Sequence, residues 1–187
     1  MNKKFFVFFL LAIVGVSIAT RLLPHPPNFT PIAALALFAG VYASKVSKWY
    51  LLLPVGVMLF SDLFVGFYEP KTMAVVYGSF FAIGLMGMLV QKHKNMGTIA
   101  LGTLLGSVLF YLATNFAVWA FSGMYALTPQ GLALSYYTAL PFFKFSLLGN
   151  VLYVTLFFGI YEFATSLSYK HHYGTATVTT TAKADPN

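Results

Sequence analysis

Apolar residues in this chain fall into six blocks separated by short polar or proline-rich stretches, at positions 5–20, 31–43, 49–68, 72–90, 96–121 and 143–167. Most blocks lack a polar stripe at helical spacing, and five approach the ~20 residues a helix needs to cross a bilayer. The pattern predicts an all-α membrane protein of six transmembrane helices. The second block is the exception. Its 13 residues would rise only about 20 Å against a hydrocarbon thickness of about 30 Å. Between the fifth and sixth blocks, Thr128-Pro129 opens a tyrosine-bearing stretch that Pro141 closes. Thr followed by Pro suits an N-cap and first helical turn. An interfacial helix on the outer face, able to act as a lid, is expected there; an ordered hydrophobic loop is the alternative. Residues 1–167 then make one transmembrane domain, and the polar, Thr-rich tail 168–187 is expected to be cytoplasmic and disordered.

Composition agrees with the pattern. Of 187 residues, 59% are hydrophobic and 8% charged, with mean hydropathy +0.78. Soluble domains carry roughly 25% charged residues, so a soluble globular enzyme is excluded. The net charge of +7 sits in short clusters between apolar blocks, which is the habit of membrane proteins and not of nucleic-acid binders. Cysteine is absent, which removes disulfides, thiolate chemistry and Cys-based metal sites.

The charge clusters also decide topology. If the short second block spans, the inner side holds Lys3, Lys4, Lys45, Lys48, Lys92, Lys94, Lys170 and Lys183, against Arg21, Lys71 and Lys144 outside. That bias has the sign the positive-inside rule requires. If the block does not span, the later segments flip and the bias reverses. Six helices with both termini cytoplasmic, in the plasma (inner) membrane, are therefore expected, with the basic start of the first block read as an uncleaved helix, a signal peptide being the alternative. Small-residue ladders at Ala36-Gly40-Ser44, Ala74-Gly78-Ala82 and Gly102-Gly106 suit close helix packing or a docking face.

Polar groups inside a bilayer are expensive and usually functional. Counted from the outer helix ends, Asp62 lies about 9 Å deep and Asn150 about 10 Å deep at 1.5 Å per residue, with Asn115 at similar depth. Above them runs a proline-rich mouth containing Arg21, His25, Asn28 and Thr30. The expectation is an outward-facing polar pocket walled by Tyr77, Phe116, Trp119, Tyr136 and Phe142. The competing reading is a structural Arg21–Asp62 ion pair; the two are compatible. Arg21 also suits a carboxylate, phosphate or carbonyl group. No His/Asp/Glu pair has helical metal-ligand spacing, so no metal or other cofactor is expected. Glu162 is expected to pair with Lys92, Lys94 or Lys170. No nucleophile elbow and no phosphate-cradling loop is present.

Two stretches resemble a known pattern. Residues 21–40, Arg-Leu-Leu-Pro-His-Pro-Pro-Asn-Phe-Thr-Pro-Ile-Ala-Ala-Leu-Ala-Leu-Phe-Ala-Gly, and the set Thr114-Asn-Phe-Ala-Val-Trp119, Tyr125, Gly131-Leu132, Tyr136 and Ala139-Leu-Pro-Phe-Phe143 resemble an uncharacterised family of bacterial membrane proteins classed as candidate transport proteins. In that pattern an Asp stands in place of Asn150 and a Cys in place of Ser135. The family is similar in size, helix count and layout to the substrate-binding S-components of energy-coupling factor (ECF) transporters. The resemblance implies an S-component-like bundle that binds a vitamin-like solute from outside and works with a coupling subunit and ATPases, meeting that subunit through a ladder such as Gly15-Ala19 or Ala36-Gly40.

The expected function is thus uptake of a small solute without catalysis, in contact with the lipid bilayer and without nucleic acid. The expected solute-binding residues are Arg21, His25, Asn28, Asp62, Asn115, Trp119, Tyr136 and Asn150. Two other readings are a membrane enzyme acting on a lipid or quinone with His25 and Asp62 as acid and base, and a non-catalytic assembly subunit.

Overall fold

The computed structural model describes residues 3–181, the side chains of 168–181 excepted. The described chain is helical throughout, with no strand. Its helices are α1 (Lys3–Leu22), α2 (Ile32–Val41), α3 (Leu53–Val65), α4 (Pro70–Lys92), α5 (Met96–Phe121) and α6 (Pro129–Thr181), with 3-10 turns at Ala43–Lys45 and Lys48–Leu52. Five helical stretches are long and apolar enough to cross a membrane; Ile32–Lys45 is a shorter apolar helix.

The short second block is the centre of the bundle. All ten residues of α2 are buried. A helix apolar on every side has no solvent face to present and belongs inside, which is what the unbroken run Ile32-Ala-Ala-Leu-Ala-Leu-Phe-Ala-Gly-Val41 dictates. Because other helices cover it, its length need not match the lipid.

Small residues set how closely α2 lies against its parallel neighbour α4. A Cβ on Gly87 would stand 2.6 Å from the Leu37 carbonyl oxygen and 2.8 Å from the Gly40 Cα. Gly84 lies under Ala36, and a Cβ on Gly106 would touch Ile83 of α4. Two of the three ladders are therefore internal seams. The Ala36-Gly40 ladder is fully buried and is not a surface for a partner. Gly78 and Gly15 face open space. The C-terminal carbonyls of α2 are satisfied by Gln91, whose amide donates to the Val41 oxygen at 2.8 Å, and by Ser44, which donates back to Gly40. Below this end Tyr42 donates its hydroxyl hydrogen to Glu162, and Lys94 pairs with the same carboxylate. Aromatic rings from Phe5, Phe9, Phe38, Phe158 and Tyr161 fill the space around them.

Two expectations need correction. Pro141 does not end a separate interfacial helix: residues 129–141 are the first turns of α6, which runs through the proline. Proline removes one amide hydrogen bond within a helix, yet helices among packed neighbours tolerate that loss. Here α5 supplies the packing. Tyr136 donates to the Leu112 carbonyl and Tyr111 donates to the Tyr136 carbonyl, while the Tyr111 ring meets Phe143 at 4.8 Å. This stretch stands upright along α5 and forms a wall, not a lid. The backbone of α6 then continues to Thr181; the expected tail at 168–187 otherwise lies outside the described side chains and residues.

Gly87→Ala is expected to lower stability by about 1–3 kcal/mol through overpacking against backbone. Gly78→Ala, which meets nothing within 4 Å, should stay within about 0.5 kcal/mol of the parent. Equilibrium unfolding in detergent micelles measures both.

Candidate functional site

The site begins where α1 ends. Arg21 is in the last turn of α1. Its Nε donates to Ser61 Oγ at 2.6 Å, and its Nη2 pairs with Asp62 Oδ1. The second carboxylate oxygen accepts the Tyr77 hydroxyl at 2.5 Å. Asp62 is 1% exposed. A charge taken so far from water persists only when paired and hydrogen-bonded, and Arg21 and Tyr77 between them satisfy both oxygens. The network joins α1, α3 and α4.

Beside it opens a cavity of about 580 Å³. From the α1 side Arg21, His25, Asn28 and Thr30 line it, together with Ala33, the second residue of α2. The connection carrying these groups is held down at both ends. Asn28 adopts φ +61°, a left-handed turn that Asn tolerates. Next to it Phe29 packs over Gly149 and Tyr153 of α6. The α4 side contributes Tyr68, Glu69, Thr72, Val76 and Phe80. The α5 side contributes Phe110, Tyr111, Thr114, Asn115 and Val118, with Ser122 and Met124 at the rim. From α6 come Ala139, Phe142, Phe143, Ser146 and Asn150.

Of the expected site residues, Arg21, His25, Asn28, Asn115 and Asn150 come together around this cavity. Asp62 does not line it; it stands behind Arg21, so His25 and Asp62 do not share the cavity wall. Trp119 does not line it either. Its indole donates to the Ala126 carbonyl at 2.9 Å and its ring packs on Phe116, which pins the α5–α6 connection. Tyr136 is engaged in the α5–α6 seam described above. Among the expected wall aromatics only Phe142 faces the space; Tyr77 serves Asp62.

The common depth of the polar groups is also corrected. Asn150 donates to Ser107 Oγ at 2.8 Å, whereas Ser135 approaches the Asn115 carbonyl. Along α5, Ser107 and Asn115 are eight residues apart, roughly 12 Å at helical rise. Counting depth from a helix assumed to start after Pro141 placed Asn150 too high. Asn115 thus lies toward the rim and Asn150 at the floor.

Several lining groups carried no signal in the sequence. Glu69 caps α4, accepting from the Lys71 amide at 3.0 Å and from the Thr72 amide and hydroxyl. Desolvation pushes its carboxyl up, but the hydrogen bonds from Thr72 and Lys71 outweigh this and hold it below the usual range. Burial, followed by the nearby Asp62 charge, pushes the Tyr68 phenol up to about 12, so it stays a neutral donor. Ser146, 7% exposed, looked like an ordinary helix serine. The Glu-Pro pair at 69–70 was the one available cue, a cap followed by a first-turn proline. Among the described residues no three His, Asp or Glu side chains gather as a metal site.

The chain belongs to the family of unknown function DUF6580, whose sequence profile matches residues 1–174. No curated protein matches it, and neither does any solved structure.

Asp62→Ala should cost about 3–5 kcal/mol of stability by leaving Arg21 uncompensated, while the double change Arg21→Met with Asp62→Leu should recover most of that loss; chemical unfolding of the single and double variants reads both. Glu69 has a depressed folded-state pKa, so its contribution is present above the ordinary Glu range and lost as pH falls through it. The difference in Tm between the parent and Glu69→Gln should therefore hold between about pH 7 and pH 5 and shrink as pH falls below about 4.

Proposed function

We propose that this protein binds a small solute from outside the cell for uptake, as an integral protein of the plasma (inner) membrane without an ATPase of its own. One observation carries the reading: a large cavity, lined by polar groups brought from chain positions 21 to 150 and otherwise apolar. Its volume falls within the roughly 300–1,000 Å³ common to small-molecule sites, which are mostly apolar with a few fixed polar groups. The helix order supports an outward-facing mouth. The ends of α1, α3 and α5 and the starts of α2, α4 and α6 meet at the cavity, so the six helices alternate in direction. Lys45, Lys48, Lys92 and Lys94 gather at the opposite end, where the positive-inside rule puts the cytoplasm. In this reading α2 is a sixth, protein-covered pass and both termini are cytoplasmic. Accumulation against a gradient would require a partner such as an ECF-type coupling subunit with its ATPases.

The test is native mass spectrometry of the protein released from detergent. The parent should carry a dissociable small-molecule adduct. Ser146→Phe, which fills the floor, should lose it while Asn28→Ala at the rim weakens it. Repeated preparations free of any adduct, even after incubation with cell extract, would overturn the proposal.

A further inference from the structure

The arginine and carboxylate charges at this cavity are already answered by the protein; His25 holds the Leu23 carbonyl through Nδ1, and the remaining unanswered polar atoms are amide and hydroxyl groups. Arg21 lines the wall, but Ser61 and Asp62 hold two of its nitrogens. Asp62 itself is closed by Tyr77. Glu69 gives both oxygens to the start of α4. Among the described residues no lysine lines the space. The floor is different. Asn150 is 4% exposed and donates through Nδ2 to Ser107, while its Oδ1 accepts from no described residue. Every fully buried side-chain polar atom does have a partner, so this oxygen is not sealed off, and Asn150 lines the large cavity as well as a small void of about 10 Å³ beside Ser107. The same reasoning applies to Ser146 Oγ, and toward the rim Asn115 likewise donates through Nδ2, to the Tyr111 carbonyl, leaving its oxygen outward. Phe80, Phe110, Phe142 and Phe143 offer ring surface between these levels.

Resting on the solute-binding reading above, we propose that the cavity selects an uncharged, largely planar solute. Such a solute presents hydrogen-bond donors to the Asn150 and Asn115 oxygens and aromatic surface to the phenylalanines, and carboxylates and phosphates are rejected. An anion brought to Arg21 would meet the Asp62 charge immediately behind it and would displace no water-exposed counterion. A cation finds no free carboxylate. A neutral amide or heterocyclic N–H finds acceptors already fixed in place, which is how a buried site discriminates: the wrong partner leaves them unpaired.

The absence of cysteine makes the test direct. Ser146→Cys, in the full-length protein in detergent, is reacted with three methanethiosulfonates of similar size: hydroxyethyl (neutral), sulfonatoethyl (anionic) and trimethylammonioethyl (cationic). In each case the thiolate displaces methanesulfinate and forms a mixed disulfide. The reference is Leu127→Cys, at a residue 70% exposed in a stretch without charged residues. Rate ratios between reagents cancel the ionisation of each thiol. The neutral reagent should gain at least about tenfold over both charged reagents at S146C relative to L127C, the scale on which local fields alter encounter. Adding Asp62→Asn to S146C should uncover the guanidinium and raise the anionic rate. A ratio unchanged from L127C, or one favouring either charged reagent, overturns the neutral-solute proposal and leaves the binding site standing. A thiol at S146C that reacts with none of the three in folded protein, yet reacts after denaturation, overturns the open cavity and with it the proposed function. Thr114→Cys, nearer the rim, serves as the second position if S146C does not fold.

Discussion

The contact between Arg21 and Asp62 is the constraint from which the cavity half of the molecule follows. A carboxylate as deeply buried as Asp62 needs a cation and further donors beside apolar helices. Arg21 supplies the charge, Tyr77 the second donor, and Ser61 steadies the guanidinium by accepting from Nε. Because Arg21 ends α1, the pair fixes where α1 stops and where the proline-rich connection begins. Because Tyr77 is on α4, it also fixes the wall opposite. The guanidinium is thereby a structural post with one face on the cavity, and its role as an anion trap is already taken by the protein's own acid.

The second organising feature is the length of α2. Backbone-to-backbone approach at Gly40 and Gly87 locks it to α4 with no room for side chains between them. Yet α2 begins only at Ile32, beneath a connection that packs sideways onto α6 through Phe29. Ala33 consequently lines the cavity. The same shortness that made the second block a poor span by length leaves the volume above it for polar groups from α1, α4, α5 and α6. The glycine seam and the ion pair thus act at different levels, the first closing the interior and the second holding the mouth apart.

Much of this was legible in the residues. The run from Met96 to Phe121 became a helix with those bounds, and Asn95 with Thr98 forms the capping box at its start. Residues 32–41 were expected to be a short span; their lack of any polar stripe is the feature that accounts for the complete burial found instead. Burial cost alone singled out Arg21 with Asp62, and the polar positions 25, 28, 115 and 150 do surround one space. What remained hidden depended on the relative height of helices. Nothing local in Thr128-Pro129 or Pro141 tells whether a helix stops or is carried through a proline by its neighbour, and that choice moved Asn150 by about two turns relative to Asn115. Trp119 and Tyr136 looked like wall residues because aromatics often are; their polar atoms instead close backbone carbonyls of the α5–α6 hairpin. Glu69 reads as a cap, and its place on the cavity wall follows only from the turn between α3 and α4.

The most direct measurement is an experimental structure of the protein purified from its native membrane without added ligand. The account predicts non-protein density between Asn150, Ser146 and the aromatic wall, with the Arg21 guanidinium still seated on Asp62. A space filled by side chains, or Arg21 swung away from Asp62 onto a bound anion, would contradict it.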